Sequence, residues 1–263
     1  MDESYYRSAI RSIRPHKRLG QHFLVKRYVA VAEADLCMGK EVIELGPGAG
    51  ILTEELCKVA KRVTAVEIDT RLYSFLVSNL KSPKLEVINS DFFELERVPK
   101  ADMMASNVPY KLSSKTLMWL VEHRMPAVLC LQREFVDRMA AGVGTGGYSR
   151  LSVFCSLSFD ISMIMKVPAD SFYPAPRVDS TVVQLKPKAA RIKEGELRLL
   201  SLIMEHKNKK LRNAIEDSSK ALGLSKTDAR AIADAAANKD VRVCKMEPRL
   251  LLGAARELSS RLE

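Results

Sequence analysis

The sequence predicts an α/β fold with a seven-stranded, mostly parallel mixed sheet and a small all-helical domain at the C-terminal end. From Glu41 onward, short β-branched apolar runs alternate with amphipathic stretches, a pattern typical of βαβ units. After Pro187 the sequence becomes charged and rich in Ala and Leu, which indicates helices. Hydrophobic residues make up 47% of the 263 positions, enough to bury a substantial core. We therefore expect two domains, residues 1–187 and residues 188–263.

The elements of the first domain follow from these apolar runs. Its strands are predicted at Glu41–Leu45, Arg62–Glu67, Leu85–Asn89, Ala101–Ser106, Ala127–Leu131, Ile161–Val167 and Val178–Leu185. Helices between the first five strands are predicted at Ile51–Ala60, Arg71–Leu80 and Ser113–Glu122. The last two strands are joined by a short Pro-rich loop, which cannot hold a crossover helix. The last strand is therefore expected to be antiparallel.

The helical domain is predicted to contain three helices. Their bounds are Glu196–Ser219, Thr227–Ala237 and Pro248–Leu262, with breaks at Gly195, Gly223 and Pro248.

Composition excludes several classes of protein. No apolar run is long enough to span a membrane and no secretory leader is recognisable, so a cytoplasmic location is expected. The five cysteines and four histidines are scattered without the close spacing of disulfide frameworks or zinc sites. We therefore expect no metal.

Charge is concentrated at the two ends of the chain. The net charge of +10 is made up of +5 in residues 1–27 and +7 in residues 184–263, which leaves −2 for the residues between them. A near-neutral body with basic ends favours binding of nucleic acid phosphates by peripheral segments. The alternative is a solvated basic surface.

A glycine-rich turn follows the first predicted strand. Residues 44–50 read ELGPGAG, and Gly46 and Gly48 lack the β-carbons that would keep a ligand away from the backbone. The G-x-G-x-G spacing favours a nucleoside cofactor without a pyrophosphate, although it leaves NAD open. A structural loop is the alternative.

Two carboxylates end the next two predicted strands. Glu67 stands 21 residues after Gly46, where it can accept both hydroxyls of a cofactor ribose. Asp91 can accept an adenine amine of the cofactor while Phe92 or Ile68 packs on the ring. As an alternative, both carboxylates cap helices or solvate strand ends.

The segment Asn107–Tyr110, which reads NVPY, ends the fourth predicted strand, at the edge where open α/β sheets bind ligands. An adenine amine is a poor nucleophile because its lone pair is delocalised, so an enzyme must accept its hydrogens. The Asn107 carbonyl and a main-chain carbonyl of Val108–Pro109 suit this role, with Pro109 fixing the backbone. Tyr110 can stack on the base. An ordinary Asn-turn followed by a core tyrosine is the alternative.

Phe172 begins the sequence FYPAP in the loop before the last predicted strand. It offers a second aromatic ring for the other face of the base, or a packed hairpin aromatic in the alternative interpretation.

Over nearly its whole length the sequence resembles the small-subunit rRNA adenine N6,N6-dimethyltransferases, relatives of the macrolide-resistance rRNA methyltransferases. The segments that carry the resemblance, in order, are 19–24 (LGQHFL), 44–50, 67–69 (EID), Asp91, 107–110, 172–180 and 207–213 (KNKKLRN). His22 stands where bacterial members often have Asn, and Met204, Lys207 and Asn208 replace an expected Phe and two Arg. These departures resemble archaeal members.

The resemblance implies a Rossmann-like class I methyltransferase fold and S-adenosylmethionine as the cofactor. The implied cofactor contacts are Gln21, His22, Leu24, Gly46, Gly48, Glu67, Ile68, Asp91, Phe92 and Asn107, and the implied catalytic residues are Asn107, Pro109, Tyr110 and Phe172. The implied product is a pair of adjacent dimethyladenosines in the 3′-terminal hairpin loop of small-subunit rRNA. The substrate would be an immature ribosomal subunit, with a further role as an assembly checkpoint, and we expect a monomer.

Two basic segments are expected to grip RNA phosphates. The first contains Arg14, Lys17, Arg18, Lys26 and Arg27, and the second contains Lys207, Lys209, Lys210 and Arg212 within what resembles a basic helix.

Two rival functions stay open at this point. One is methylation of an amine in large-subunit rRNA or DNA, although Asn at position 107 and the basic tail favour RNA. The other is a non-catalytic assembly factor, which would not need Glu67, Asp91 and Asn107 together.

Overall fold

The computed structural model describes residues 3–16, 19–189 and 191–262. The chain divides into two compact units, Met1–Val136 with Ile161–Lys186 and Asp137–Asp160 with Pro187–Glu263. The sequence-based boundary after residue 187 differs from this division, because it leaves residues 137–160 in the first domain. That segment groups with the second unit since its helix packs on two helices that follow residue 187.

The first unit is built on a seven-stranded sheet, accompanied by a separate two-stranded one. The strands are β1 (Phe23–Leu24), β2 (Glu41–Leu45), β3 (Arg62–Glu67), β4 (Leu85–Asn89), β5 (Met103–Asn107), β6 (Ala127–Gln132), β7 (Phe159–Val167), β8 (Phe172–Tyr173) and β9 (Ser180–Pro187). The large sheet has the order β4-β3-β2-β5-β6-β9-β7. Strands β2 to β6 pair in parallel, whereas β9 is antiparallel to β6. The predicted seven-stranded mixed sheet with an antiparallel last strand is confirmed.

Twelve helices are described. They are α1 (Glu3–Ile13), α2 (Arg27–Asp35), α3 (Ile51–Val59), α4 (Thr70–Asn79), α5 (Ser113–His123), α6 (Arg133–Met139), α7 (Arg150–Ser158), α8 (Glu194–Glu205), α9 (Leu211–Asp217), α10 (Ser219–Leu222), α11 (Lys226–Ala235) and α12 (Pro248–Leu262). Helices α3, α4 and α5 connect parallel strands, as predicted. Helices α1, α2, α6 and α7 were not predicted. In α7 most residues are buried, so its sequence has no polar face to reveal a helical period.

The second unit contains α7 to α12, and one of its predicted helices is wrong. A single helix was predicted over Glu196–Ser219, but α8 ends at Glu205 and α9 begins at Leu211. Between them the chain turns, with the Lys209 amide donating to the His206 carbonyl at 2.8 Å and the Leu211 amide donating to Val241 at 2.9 Å. The break is stabilised by pairing with a distant segment, since the Lys209 carbonyl also accepts from the Val243 amide at 3.0 Å.

The strand order fixes where a ligand can bind. From β2 the chain moves outward through β3 and β4, then returns to the other side of β2 to form β5. The loop after β2 leads towards β3, whereas the loop after β5 leads towards β6 on the other side of the sheet. These loops therefore diverge and leave a crevice between the carboxyl ends of β2 and β5. The glycine turn after β2 and Asn107 at the end of β5 both lie at this point. None of the described helices is long and apolar enough to cross a membrane.

The two-stranded sheet brings a second segment to the same place. Phe23 pairs with Tyr173 and Leu24 pairs with Phe172 in antiparallel register. This pairing was not predicted, because two-residue strands have no detectable alternation. It places residues 19–24 beside the loop that precedes β9.

Candidate active site

A cavity of about 310 Å³ opens at the carboxyl edge of the large sheet. All thirteen residues predicted as cofactor contacts or catalytic residues line it. They are Gln21, His22, Leu24, Gly46, Gly48, Glu67, Ile68, Asp91, Phe92, Asn107, Pro109, Tyr110 and Phe172. The structure therefore gathers the predicted set into one site, whereas the role of each residue stays a prediction.

The glycine turn forms one wall of the cavity. Gly46 and Gly48 both have positive φ angles, 65° and 59°, a conformation that side chains other than glycine rarely adopt. A β-carbon on Gly48 would lie 3.2 Å from the Phe23 ring, and one on Gly46 would lie 3.7 Å from Pro109. The backbone of the turn is thus packed directly against the elements on the other side of the site.

Glu67 is buried at the end of β3 and receives two backbone hydrogen bonds. The Gly48 amide donates to Oε2 at 3.0 Å and the Asp69 amide donates to Oε1 at 2.9 Å. Burial raises the pKa of Glu67 to about 7, and these two amides oppose that rise because they stabilise the carboxylate. Each oxygen retains a second lone pair, so the carboxylate can still accept two hydroxyl hydrogens.

The other side of the cavity combines a carboxylate with apolar surface. Asp91 caps a short 3-10 turn, because its Oδ1 accepts a hydrogen bond from the Phe93 amide at 2.9 Å. Asp91 therefore caps a turn, as in the alternative interpretation of the sequence. Its second carboxylate oxygen remains for a ligand. Phe92 is buried, whereas the Ile68 side chain is 50% exposed on the wall of the cavity. An aromatic ring bound here would cover Ile68.

Asn107 has the most distinctive environment of the site. Its Nδ2 donates to Oε2 of Glu33 at 3.2 Å. Its Oδ1 is buried and accepts no hydrogen bond from any described residue. A buried acceptor without a donor costs free energy, about 1 to 3 kcal/mol. Such an atom at a cavity wall is suited to a ligand N–H.

Tyr110 is held from both ends. Its hydroxyl bonds with Ser180 Oγ at 2.9 Å, and the His22 ring stacks on it with centroids 5.4 Å apart. Burial raises the pKa of Tyr110 to about 12, so the phenol keeps its proton. His22 Nδ1 lies 2.6 Å from the Pro174 carbonyl, which can only accept, so Nδ1 carries a proton.

The segment before β1 is tied to the cofactor side of the cavity. Gln21 Nε2 donates to Asp69 at 3.0 Å, and its Oε1 accepts from the His16 amide at 2.7 Å. Both ends of this side-chain amide therefore have protein partners. The backbone carbonyl of Leu24 accepts from the buried Tyr6 hydroxyl at 3.0 Å. These bonds give the segment a structural role as well as its predicted contact with a cofactor.

Sequence reasoning missed three polar residues of this region. Glu33 on α2 bonds with Asn107, and Ser180 at the start of β9 bonds with Tyr110. Glu44 on β2 is buried, with its pKa raised to about 8 chiefly by burial and further by the charge of Glu67. Only the placement of Glu44 in the glycine motif was a signal available in the sequence.

The first basic segment contributes unevenly to the surface. Arg14 is exposed, whereas Lys17 and Arg18 lie outside the described residues. Arg27 forms ion pairs with Glu54 and Glu55, so its charge is largely neutralised within the protein.

The second basic segment is a turn, not the predicted helix. Lys207 is half-buried and donates to the Tyr148 carbonyl at 2.7 Å. Lys209 pairs with Asp217 at 2.6 Å and Lys210 pairs with Asp240 at 3.1 Å. Arg212, at the start of α9, lies 3.5 Å from the same Asp240. Exposed ion pairs of this kind are weak, so these cations can exchange their carboxylate for a phosphate. Lys207 instead stabilises the fold through its bond with the Tyr148 carbonyl.

Within the described ranges, no three His, Cys, Asp or Glu side chains converge as metal ligands. The expectation of no metal stays a prediction.

The site combines the glycine turn after β2, the Glu67 carboxylate, which can accept ribose hydroxyls, and the unsatisfied Asn107 acceptor beside Tyr110. On this mostly parallel sheet with an antiparallel last strand, that combination is typical of a Rossmann-like methyltransferase. A sequence profile described as ribosomal RNA adenine dimethylase matches residues 13–247. The chain therefore belongs to the ribosomal RNA adenine dimethylase family, and the predicted family and enzyme class are confirmed.

Several relatives are similar over most of the chain. The probable ribosomal RNA small subunit methyltransferase A of Methanopyrus kandleri is 37% identical over 242 residues, which cover 87% of this chain and 86% of the relative. The protein of the same name from Pyrococcus abyssi is 36% identical over 216 residues, covering 81% and 80%. Both organisms are archaea, in agreement with the departures at positions 22 and 204–208.

Two solved structures share the fold over nearly the whole chain. A dimethyladenosine transferase from Plasmodium falciparum has a TM-score of 0.76 at 27% identity, covering 91% of this chain and 98% of that one. The 23S rRNA methyltransferase ErmE has a TM-score of 0.62 at 25% identity, covering 90% and 99%. The fold class is thus confirmed.

Proposed function

We propose that this enzyme uses S-adenosylmethionine to methylate N6 of two adjacent adenosines in the 3′-terminal hairpin loop of small-subunit rRNA. The product is a pair of N6,N6-dimethyladenosines, made on an immature subunit by a monomeric enzyme. The resemblance to the small-subunit dimethyltransferases also implies that binding of the enzyme to the immature subunit delays maturation until methylation is complete. The relatives named for the small subunit support this choice of substrate.

The observation that carries the proposal is the buried Oδ1 of Asn107, which accepts no hydrogen bond from the described residues. An adenine amine presents two N–H donors, and one of them satisfies this atom. The second can meet a main-chain carbonyl of Val108 or Pro109. Accepting both hydrogens draws the nitrogen lone pair out of conjugation with the ring, which makes it a better nucleophile.

The residues around the cavity also fit the proposed cofactor. Glu67 has lone pairs left for two ribose hydroxyls, and half-exposed Ile68 offers apolar surface to an adenine ring. Gly48 lets the backbone approach where a β-carbon would meet the Phe23 ring. When bound, S-adenosylmethionine supplies an electrophilic methyl group carried on a sulfonium sulfur.

The remaining work falls to side chains that orient the base. Tyr110 can stack on the target adenine, an interaction worth about 1 to 3 kcal/mol per base. Its hydroxyl bond with Ser180 restrains the ring before the base arrives. Phe172 is fixed beside the site by the pairing of β1 with β8 and can contact the other face of the adenine. No strong general base is needed, because the methylated amine loses its proton readily to water.

RNA binding is assigned to the basic segments. We propose that Arg14, with Lys17 and Arg18, contacts phosphates in one segment, and that Lys209, Lys210 and Arg212 do so in the other. The second unit is thus proposed to be chiefly an rRNA-binding unit. Lys207 is the weakest member of the predicted set, since its amine donates to a backbone carbonyl.

The proposal is tested by incubating the enzyme with methyl-labelled S-adenosylmethionine and small subunits that lack the modification. Mapping of the labelled nucleotides is expected to find two adjacent dimethyladenosines in the 3′-terminal hairpin loop. Large subunits and duplex DNA serve as competing substrates in parallel reactions. Labelling of either competitor in preference to the small subunit would reassign the substrate, and absence of labelling would leave a binding protein.

A further inference from the structure

A fully buried glutamate touches the reacting amide from outside the cavity. Glu33 lies on α2, and its Oε2 accepts the hydrogen bond from Asn107 Nδ2 at 3.2 Å. Glu33 is absent from the residues that line the cavity, whereas Asn107 belongs to them. The Nδ2 atom therefore has a partner in the protein interior, whereas the buried Oδ1 atom has none among the described residues.

A carboxyl group at this position needs an explanation. The other buried residues of α2 are Val29, Ala30 and Ala34, so an aliphatic residue would pack there without loss of solvation. Glu33 Oε1 is buried and has no hydrogen-bond partner among the described residues. Within the described ranges, the bond with Asn107 is the only side-chain hydrogen bond that this carboxyl makes. An unfavourable burial retained for one contact points to a role of that contact.

The role follows from the symmetry of an amide side chain. Rotation by half a turn exchanges the oxygen and nitrogen of Asn107 with little change in shape. In that flipped form Nδ2 would face the adenine amine, and two donors would oppose each other. An ionised carboxylate accepts hydrogen bonds and cannot donate them, so it excludes the flipped form.

We propose that Glu33 is a positioning residue that holds the Asn107 amide with Oδ1 available to the adenine amine. The inference rests on the proposed role of Asn107 and deepens it. Glu33 does not touch the reacting atoms; it selects which face of the amide meets them. An enzyme with the flipped amide would methylate slowly, whereas its proposed cofactor contacts at Glu67 and Gly48 would be unchanged.

Ionisation of Glu33 adds a pH-dependent signature. Burial raises its pKa to about 8, with a further rise from the charge of Glu44 on β2 and an opposing effect of Asn107. Among the described residues, the other titratable groups that interact with it are Cys37 after α2 and Cys130 on β6, whose thiol pKa values burial holds well above neutral. Protonated Glu33 can also donate, and so tolerates the flipped amide. Occupancy of the reactive orientation therefore rises as pH increases through about 8.

The first test compares Glu33→Met and Glu33→Gln with wild type in methyl transfer at a pH above about 8, where Glu33 is ionised. Met removes the acceptor, and misorientation of a reacting group is expected to lower kcat about 10- to 100-fold while KM for S-adenosylmethionine changes much less. Gln keeps one accepting oxygen but can also donate, so its kcat is expected between the two. The inference is overturned if both variants have the same kcat as each other, or if only KM changes.

The second test does not require activity. In protein labelled with ¹⁵N-asparagine, the Asn107 side-chain amide signals are assigned by their loss in Asn107→Ala. In wild type one Nδ2 proton is expected to exchange slowly and to shift with pH as Glu33 ionises; in Glu33→Met both properties disappear. Glu44, which titrates in the same range, is intact in that variant. Unchanged signals in Glu33→Met contradict the contact.

A matched control separates positioning from folding. Glu55 is also a buried carboxylate that contacts α2, through Arg27, but it has no contact with Asn107. Glu55→Gln is expected to lower the melting temperature and to leave both kcat and the Asn107 signals as in wild type. If wild type methylates no adenine, the proposed function fails while the amide measurement still decides the Glu33 contact.

Discussion

At the scale of single residues, the site depends on buried polar atoms that the protein supplies with few or no hydrogen-bond donors. Glu67 is 4% exposed; the Gly48 and Asp69 amides donate to it, with a smaller backbone contribution from Ile68, and no cation of a described residue pairs with it. Its pKa of about 7 places its ionisation within the range in which enzymes work. A ligand that donates hydroxyl hydrogens to Glu67 stabilises the charged form.

Cofactor affinity is therefore expected to depend on pH through Glu67. Hydroxyl donors favour the carboxylate, so below its pKa of about 7 binding must first displace a proton. The Kd for S-adenosylhomocysteine should rise as pH falls from about 7, by up to about tenfold per pH unit, and level off above it. Calorimetric titration in buffers of different ionisation enthalpy measures both the affinity and the protons released.

Glu67→Gln serves as the control for this titration. It cannot ionise, so we expect weaker binding that is independent of pH across the same range. A wild-type affinity without pH dependence, or a variant that keeps the wild-type slope, would assign the titration to another group.

At the scale of elements, the glycine turn after β2 owes its shape to backbone conformation as well as to space. Gly48 has φ of 59° and faces the Phe23 ring at 3.2 Å from an added β-carbon. Gly39 has a similar φ of 70° but nothing within 4 Å of such a carbon. The two positions thus share a left-handed backbone conformation, which would strain an alanine, and differ in their surroundings.

This pair of glycines gives a matched experiment. Gly48→Ala and Gly39→Ala should each lower the free energy of unfolding by about 1 to 2 kcal/mol through the left-handed conformation. Only Gly48→Ala should also weaken S-adenosylhomocysteine binding, because Phe23 and the turn must move apart. Equal affinities in the two variants would show that the turn does not shape the cofactor site.

The turn between α8 and α9 carries the basic residues proposed to meet RNA. Replacing Lys209 and Lys210 by Gln should weaken binding to small-subunit rRNA. The slope of log affinity against log salt should become shallower by about 0.7 to 0.9 for each phosphate that the variant no longer neutralises. The control, Lys220→Gln with Lys226→Gln, removes the same charge from exposed positions of the same unit. An equal change of slope in both double variants would point to overall charge and not to this turn.

The sequence could predict elements whose signal is local. Strands β2, β3 and β4 match their predicted bounds because each is a short apolar run bounded by turn residues. The cofactor and NVPY motifs could be placed at one edge because parallel strands bring their carboxyl ends together. The bond between Glu33 and Asn107 joins residues 74 positions apart, and nothing in the sequence of α2 distinguishes that glutamate from a surface one. The break at 206–210 depends on pairing with residues 241–243, which is equally invisible locally.

At the scale of the whole molecule, the buried glutamates of the site lower the free energy of unfolding when they ionise. Glu33, Glu44 and Glu67 all have pKa values raised by burial, to about 8, 8 and 7. At neutral pH the folded protein therefore keeps a proton mostly on Glu33 and Glu44 and about half of the time on Glu67, and unfolding would release these protons. The stability that depends on these protons is fully present below the ordinary glutamate pKa and is lost as pH rises through about 8.

The free energy of unfolding is accordingly expected to fall between about pH 5.5 and about pH 8.5. The lowered pKa of Asp69, about 2, acts only in more acidic solution and does not offset this trend. Denaturant titrations of wild type and Glu44→Gln measure it, and the variant should show a smaller fall. A wild-type stability that increases over this range would mean that these groups are ionised in the folded protein.

The central claim is that Asn107 Oδ1 accepts a hydrogen of the adenine amine during methyl transfer. The most direct measurement compares wild type with Asn107→Ala, using unmethylated small subunits and quantifying N6,N6-dimethyladenosine by mass spectrometry of digested rRNA. Asn79→Ala, at the end of α4 and outside the cavity lining, is the control. We predict that Asn107→Ala yields no dimethyladenosine while still binding the subunit with nearly wild-type affinity. Dimethyladenosine formed at the wild-type rate by Asn107→Ala would contradict the account.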